Sequence, residues 1–331
     1  MRCKACCALS NEAVRAVRRR PVFPMTIGAA PRCCLALLLC CTGARGADAG
    51  SVTVYAAGDI ADCRYSRAQY AGAARTAALL DAGMEQDPGS ALLTLGDHTY
   101  PHGLAAEFRD CYAPTWGRYR DRTYPSPGNH EYLGGKADGY YDYFGNAAGP
   151  RGRGYYSFDL GAWHLVSLNS QVRGAESDAQ LAWLKEDLAR HARRCTLAYW
   201  HAPLYSSGGH GGDARMRAAW QLLYQAGADL VLSGHDHGYE RFAPQDADGR
   251  RDDAGGLRQF VVGTGGAYLT PFRWTEAHSA ARDNRRHGVL KLVLGAGSYS
   301  WEFLAADAAG PAPDFPEPQE NDSGSARCHS Y

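Results

Sequence analysis

The 331-residue chain has no net charge, because 35 Lys and Arg balance 35 Asp and Glu. That balance hides a split. Residues 1–46 carry eight basic side chains and one acidic, leaving 27 basic against 34 acidic over the rest, a body of −7. A body of that sign does not suggest a nucleic-acid binder, which normally shows a basic patch, so binding to duplex nucleic acid is not expected. A long hydrophobic run is also missing. The apolar stretch Cys33–Cys41 is too short to stay in a bilayer as a spanning helix. There is no internal repeat, no Pro-rich linker and no second compositional regime, which argues for one main domain. Gly263-Thr264-Gly265-Gly266 has the glycines of a phosphate-cradling loop but no Lys-Ser or Lys-Thr after it. It reads as a turn between strands. With 45% hydrophobic and 21% charged residues, the chain suffices for one large core.

The N-terminal stretch has the layout of an export signal. Met25 begins a short basic segment ending at Arg32, the apolar run follows, and Ala44-Arg45-Gly46-Ala47-Asp48-Ala49 offers small residues for cleavage. Residues 1–24 show no periodic pattern, so translation starting at Met25 is the expectation. A buried N-terminal helix fits poorly with Cys33-Cys34 and Cys40-Cys41, and Leu39 before Cys40 disfavours a lipoprotein anchor. Seven of the eleven cysteines precede residue 42, leaving Cys63, Cys111, Cys195 and Cys328. Four cysteines in an exported body suggest two disulfides with three possible pairings. Cys63–Cys111 with Cys195–Cys328 is the favoured one; isolated buried thiols are the alternative.

Strand-like and helix-like segments alternate through the body. Strands are predicted at Ser51–Ala57, Ala91–Leu95, Tyr155–Leu160, Trp163–Asn169, Thr196–Trp200, Asp229–Leu232, Arg258–Val262, Val289–Leu294 and Tyr299–Leu304. Helices are predicted at Arg67–Gly83, Asp178–Ala192 and Asp213–Ala226. The tail from Ala308 reads as irregular and tied down through Cys328. The order implies an α/β sandwich of two sheets with helices outside. The boundaries expected are 1–46 for the extension and leader, 47–307 for the catalytic domain and 308–331 for the tail.

Five short motifs carry the chemistry: Gly58-Asp59; Gly96-Asp97-His98-Thr99-Tyr100; Gly128-Asn129-His130-Glu131; Trp200-His201-Ala202-Pro203; and Gly234-His235-Asp236-His237. The residues stand where strands end, which is where open α/β sheets gather ligands. His235 and His237 are two apart, so in extended backbone both imidazoles face one point. Taken singly, each residue has a plain structural reading: Asp59 and Asp97 as helix caps, Asn129 as a turn residue, Tyr100 as one of twenty tyrosines, His201 as a core strand end. Together, carboxylates, an amide, a phenol and imidazoles suit transition metals better than calcium or magnesium. The set is too large for one tetrahedral ion and suits two ions roughly 3.5–4 Å apart.

Asp97-x-x-Tyr100, Gly-Asn-His-Glu at 128–131, His201-Ala202-Pro203 and Gly-His-x-His-x-Tyr-Glu-Arg at 234–241 make the chain resemble the calcineurin-like metallophosphoesterases, and among them the purple acid phosphatases. The resemblance implies a four-layer αββα sandwich of two mixed sheets flanked by helices. It implies Asp59, Tyr100 and His237 on a first metal, ferric iron, and Asn129, His201 and His235 on a second, divalent ion (iron, zinc or manganese). Asp97 would bridge the two. His130 would sit by the phosphate and help protonate the leaving group, with His210 as a second substrate-side histidine. The activity implied is hydrolysis of small phosphate monoesters by a metal-bridging hydroxide. A phosphodiesterase or nucleotidase on the same metals, or a non-catalytic exported metal binder, remains open, as does the oligomeric state. The first motif departs from the family's Gly-Asp-x-Gly, since Gly58-Asp59-Ile60-Ala61 ends in alanine; that puts the path of the loop and the reach of Asp62 in question. Outside the site, His98 and His102 are expected to face the cleft or solvent, Glu131 to orient the Asn129–His130 turn, and Glu240-Arg241 to form an ion pair. His164, His191, His278, His287 and His329 are expected to be structural or on the surface.

Overall fold

Short apolar runs build the central strands, several of them stopped by a glycine, as at Gly58, Gly96, Gly263 and Gly295. The computed structural model describes residues 50–64, 72–191, 195–306 and 321–329. The expected leader, the start at Met25, residues 65–71 and the 308–320 part of the tail lie outside them. In chain order the strands are Val52–Ala57 (β1), Ala61–Asp62 (β2), Ala91–Leu95 (β3), Thr99–Tyr100 (β4), Thr123–Ser126 (β5), Tyr156–Leu160 (β6), Trp163–Ser167 (β7) and Cys195–Tyr199 (β8). There follow Leu230–Ser233 (β9), Tyr239–Phe242 (β10), Arg258–Val262 (β11), Ser279–Asp283 (β12), Gly288–Leu294 (β13), Ser298–Ala305 (β14) and Ser323–Arg327 (β15).

Two large mixed sheets result. One has the order β15-β14-β13-β1-β3-β5, the other β12-β10-β11-β9-β8-β7-β6. In the first, β1, β3 and β5 run parallel, and β13 lies antiparallel against β1 with Val54 opposite Leu292. In the second, β7, β8, β9 and β11 are parallel. A small parallel pair, β2 with β4, sits apart and brings Asp62 opposite Tyr100.

Side-chain alternation sorts the second sheet's faces. Leu197, Tyr199, Leu230 and Leu232 join the main core together with Leu92, Leu290 and Leu292 of the first sheet. Their neighbours Ala198, Trp200 and Val231 turn to a second core, closed by Leu184, Trp220 and Leu223 of the helices. Helix Gly72–Met84 covers the first sheet by burying Ala73, Ala77, Leu80 and Met84, a stripe of helical period. Two sheets with helices outside make the α/β sandwich that the alternation of elements implied.

Several boundaries differ for physical reasons. Helix Ala175–Arg190 starts three residues before the expected Asp178, because Gly174 turns at φ 54° and Glu176 and Asp178 sit in the first turn, where the helix dipole favours acids. The expected helix at Asp213 begins as a 3-10 turn, Ala214–Met216, with the Asp213 carboxylate accepting from Arg215 N at 3.0 Å, before helix Arg217–Gln225. Strand β5 was not expected, since Pro125 and Pro127 suggest a loop; it lies at the sheet edge, where proline is tolerated. The tail is not irregular throughout. Residues 323–327 pair with β14, and Asp322 accepts from Arg241 at 2.7 and 2.9 Å and from Tyr239 Oη at 2.6 Å.

The four body cysteines form Cys63–Cys111 and Cys195–Cys328. The second bridge lies beside Asp229, whose carboxylate accepts the backbone N–H groups of Thr196 at 2.8 Å and His329 at 2.7 Å. Among the described residues, no helix is long and apolar enough to cross a membrane.

Candidate metal centre

Strand ends deliver the side chains. β1 leads to Asp59, β3 to Asp97, β5 to Asn129, β8 to His201, and β9 to His235 and His237; β4 supplies Tyr100. Asp59, Asp97 and His235 take left-handed backbone with φ of 60°, 49° and 73°, an uncommon state for residues with a Cβ and a frequent mark of functional turns. Gly234 explains the close approach of two of these turns. A Cβ there would meet Asp59 Oδ2 at 2.6 Å.

The side-chain tips converge. Tyr100 Oη lies 2.7 Å from Asp59 Oδ1, 3.2 Å from Asp97 Oδ2 and 3.1 Å from His237 Nε2. His237 Nε2 is 3.2 Å from Asp59 Oδ1. On the other side of Asp97, His201 Nε2 stands 3.2 Å from Asp97 Oδ2, 3.0 Å from Asn129 Oδ1 and 3.1 Å from His235 Nδ1. All seven expected ligands therefore meet in one place, with the Asp97 carboxylate between the two groups.

Each outer atom has a partner that aims the inner one. His201 Nδ1 donates to Leu95 O at 2.8 Å and His237 Nδ1 to Tyr268 O at 2.6 Å, which leaves each Nε2 to face the cluster. Asp59 Oδ2 accepts His235 N, and Asp97 Oδ1 accepts His130 N, both at 2.8 Å. Glu131 accepts the backbone N–H groups of Gly128, Asp97 and His98 at 2.7, 2.9 and 2.8 Å. It thus ties the Asn129–His130 turn to the Asp97 loop. Backbone carbonyls holding imidazoles in one tautomer are the usual outer shell of a metal site.

Electrostatics follow from burial. Asp59, Asp97, Tyr100 and His201 are buried. Burial raises the Asp59 carboxyl, but the His237 imidazolium outweighs it and holds the group well below the usual carboxylate range. Burial lowers His201, but the Asp97 carboxylate beside it lifts it from 6.5 to about 10. Burial and the His201 charge push His235 down to about 3. Burial, then Asp59 and Asp97, raise the Tyr100 phenol well above 10. Without an ion, protons on imidazoles thus balance two buried carboxylates. The cluster holds more lone pairs than protons, including two ring nitrogens face to face, and that donor set fits cations.

His130 and His210 border the cluster. His130 Nδ1 lies 2.6 Å from Pro101 O, with Nε2 3.9 Å from Asp97 Oδ2. The exposed His210 ring lies 4.6 Å from His235 and 6.3 Å from His237.

Two expectations need correction, and one open point is answered. His98 is fully buried, 2.7 Å from Thr94 Oγ1 and ringed by Phe108, Tyr112, Tyr140 and Phe144 at 4.9–5.9 Å; the left-handed turn at Asp97 sends it into the core while Asp97 faces the cluster. Glu240 and Arg241 do not pair with each other. Adjacent on β10, they leave opposite faces, Glu240 accepting from Ser207 and Ser279 and Arg241 bonding Asp322. Asp62 turns to Arg64, accepting from its Nε at 2.8 Å, so the alanine-ended first motif leaves the cluster intact. His102 stays exposed. Sequence reasoning missed Tyr268 and Leu95, which act through carbonyls that no side-chain pattern reveals. It also missed Asp236, for which the alternation in His-Asp-His was an available signal.

The sequence profile of the calcineurin-like phosphoesterases matches residues 52–239, from β1 to the start of β10. The chain belongs to that family. It is 33% identical over 205 residues to purple acid phosphatase 23 of Arabidopsis thaliana, covering 50% of this chain and 44% of that protein. It is 41% identical over 102 residues to purple acid phosphatase 15 of the same plant, covering 29% and 19%. These matches span less than half of each relative's length. Among solved structures, the chain superposes on the yellow lupin (Lupinus luteus) purple acid phosphatase PPD1 with a TM-score of 0.55 at 19% identity, covering 76% of this chain and 51% of that one. GAP50, the anchor in the inner membrane complex of Plasmodium, gives 0.57 at 14% identity, covering 77% and 84%. Both structures show a shared fold.

Proposed function

We propose that the protein is an exported, dinuclear metal-dependent phosphatase of the purple acid phosphatase kind that hydrolyses phosphate monoesters. The observation that carries this reading is the convergence of Asp59, Asp97, Tyr100, Asn129, His201, His235 and His237 at separations of 2.7–3.2 Å. Asp59, Tyr100 and His237 would hold one ion, ferric iron; Asn129, His201 and His235 would hold a divalent one; Asp97 would serve both. The two disulfides and the leader-like N-terminal stretch support export.

Bound there, a pair of ions supplies an activated water at mild pH and neutralises phosphate charge. The chain does the rest. Asp59 and Asp97 are fixed as carboxylates by the backbone N–H groups of His235 and His130. The His130 ring, pinned through Nδ1 to Pro101 O, presents Nε2 as the atom that protonates the leaving oxygen. Such general acids contribute roughly 10²–10⁴-fold. His210 holds the phosphate from the opposite loop. No serine or cysteine nucleophile is needed.

The test is a visible absorption spectrum of the purified protein with quantitative metal analysis. Two metal ions per chain and a violet phenolate-to-iron band that Tyr100→Phe abolishes are expected. A colourless protein with two zinc or manganese ions removes ferric iron from the reading and leaves the wider phosphoesterase. No bound metal, even after reconstitution, overturns it. A panel of monoesters and diesters measures the substrate preference.

A further inference from the structure

The two histidines of His-Asp-His face the metal cluster, and the residue between them faces away. Asp236 is buried, and both of its oxygens are spent on one loop. Oδ1 accepts the backbone N–H of His210 at 2.8 Å, and Oδ2 accepts the Ser206 hydroxyl, whose oxygen in turn accepts Gly208 N at 3.0 Å. Gly208 lies so close that a Cβ there would collide with the Asp236 carboxylate. Four residues further along the chain, Glu240 accepts Ser207 N at 2.8 Å and the Ser207 hydroxyl. Arg273 N and Glu276 N brace Ser207 from outside at 3.0 and 2.9 Å.

Burying a carboxylate is costly unless hydrogen bonds compensate it. Here the compensation comes from residues 206–210, whose described side chains include one imidazole aimed at the cluster. An exposed loop histidine held only by its own backbone would sample many positions. Anchoring its amide to the β9–β10 turn, which carries His235 and His237, removes that freedom.

We propose that Asp236 is a positioning residue that holds His210 over the metal ligands, and that it acts on turnover through His210. This rests on the phosphatase reading above. Misplacing a group by about 1 Å costs up to roughly 10²-fold in rate, so the anchor and the imidazole act as one unit.

The experiment is a double-mutant cycle on the metal-loaded protein with 4-nitrophenyl phosphate, joined to hydrogen exchange at the His210 amide. Asp236→Ala is expected to lower kcat/KM roughly 10- to 100-fold, to keep both metal ions, and to speed His210 amide exchange. Asp236→Asn, which keeps an acceptor for that amide, recovers most of the loss. In a His210→Ala background, Asp236→Ala adds less than about twofold, as expected for coupled residues. Ser206→Ala and Gly208→Ala disturb the same anchor from the loop and lower kcat/KM in the same direction; they serve if Asp236→Ala does not fold. Independent, multiplicative losses, or loss of a metal ion in Asp236→Asn, overturn the proposal. Wild-type turnover in His210→Ala overturns it while leaving the phosphatase reading standing. A wild-type protein that binds two ions yet cleaves no phosphate ester removes that reading and the proposal with it.

Discussion

His201 Nε2 and His235 Nδ1 stand 3.1 Å apart, two ring nitrogens that share at most one proton. The Asp97 carboxylate keeps that proton on His201, whose pKa rises from 6.5 to about 10 against the pull of burial. His235, pushed down to about 3 by burial and by the His201 charge, stays neutral.

Metal binding should therefore release a proton from His201 at every pH below about 10, and affinity should climb with pH across that range. The sign for stability is the opposite in the metal-free protein. A raised folded-state pKa stabilises fully below 6.5, and this contribution fades as pH rises towards about 10. The thermal midpoint of metal-free protein should fall between pH 7 and 10, while the loaded protein, with no such proton, is spared that loss. Calorimetry in buffers of different ionisation enthalpy counts the proton, and melting curves at several pH values check the widening gap.

Asp97 is placed to serve both halves of the cluster, with Oδ2 at 3.2 Å from Tyr100 Oη and from His201 Nε2. Asp97→Asn and His201→Ala should each cut kcat by at least roughly 10²–10³-fold, with circular dichroism unchanged. Near-normal turnover by either metal-replete variant would remove the cluster from the chemistry.

The two disulfides should differ in weight. Cys195–Cys328 closes a separation of 133 residues and Cys63–Cys111 one of 48. On the chain-entropy account, removing them costs about 5 and about 4 kcal/mol respectively. Denaturant titration of the two double Cys→Ser variants measures both, and the reverse order would show that local packing outweighs loop length.

Asp322 should matter for stability and not for rate. Its carboxylate accepts from Arg241, Tyr239 and Trp301 and, among the described residues, makes no hydrogen bond to the seven clustered side chains. Asp322→Ala leaves a mostly buried guanidinium without its carboxylate. The loss should be roughly 2–3 kcal/mol, below the range for fully buried pairs because both groups keep some exposure. Urea unfolding measures it, and kcat should hold.

Much of the site was legible because metal chemistry needs particular side chains at strand ends, and those leave short motifs. Asp59, Asp97, His201, His235 and His237 could each be tied to a strand by its apolar run. Asn129 was expected at a strand end too, yet no strand was predicted before it, because Pro125 disguises β5, an edge strand whose partner lies elsewhere in the chain. His98 was misplaced for a different reason. Its neighbours Asp97 and Tyr100 reach the cluster, and only the left-handed turn at Asp97 separates it from them. The tail was misread because pairing of β15 with β14, and of Asp322 with Arg241, depends on contacts that a locally polar stretch does not announce. Carbonyl partners such as Leu95 and Tyr268 leave no trace in residue type at all.

The position of β1 sets an order of assembly. It lies in the middle of its sheet, between β3 and β13, with Val54 opposite both Ala91 and Leu292. A chain synthesised from its N-terminus presents β1 first and β13 nearly last. Until residues 288–294 emerge, one edge of β1 has no neighbour, and pairing so distant in sequence is slow to form. Asp59 stands at the end of that strand. The nascent protein therefore carries Asp59 on an unfinished edge, open to non-native pairing, and closure of the sheet around it belongs to the last stage of folding.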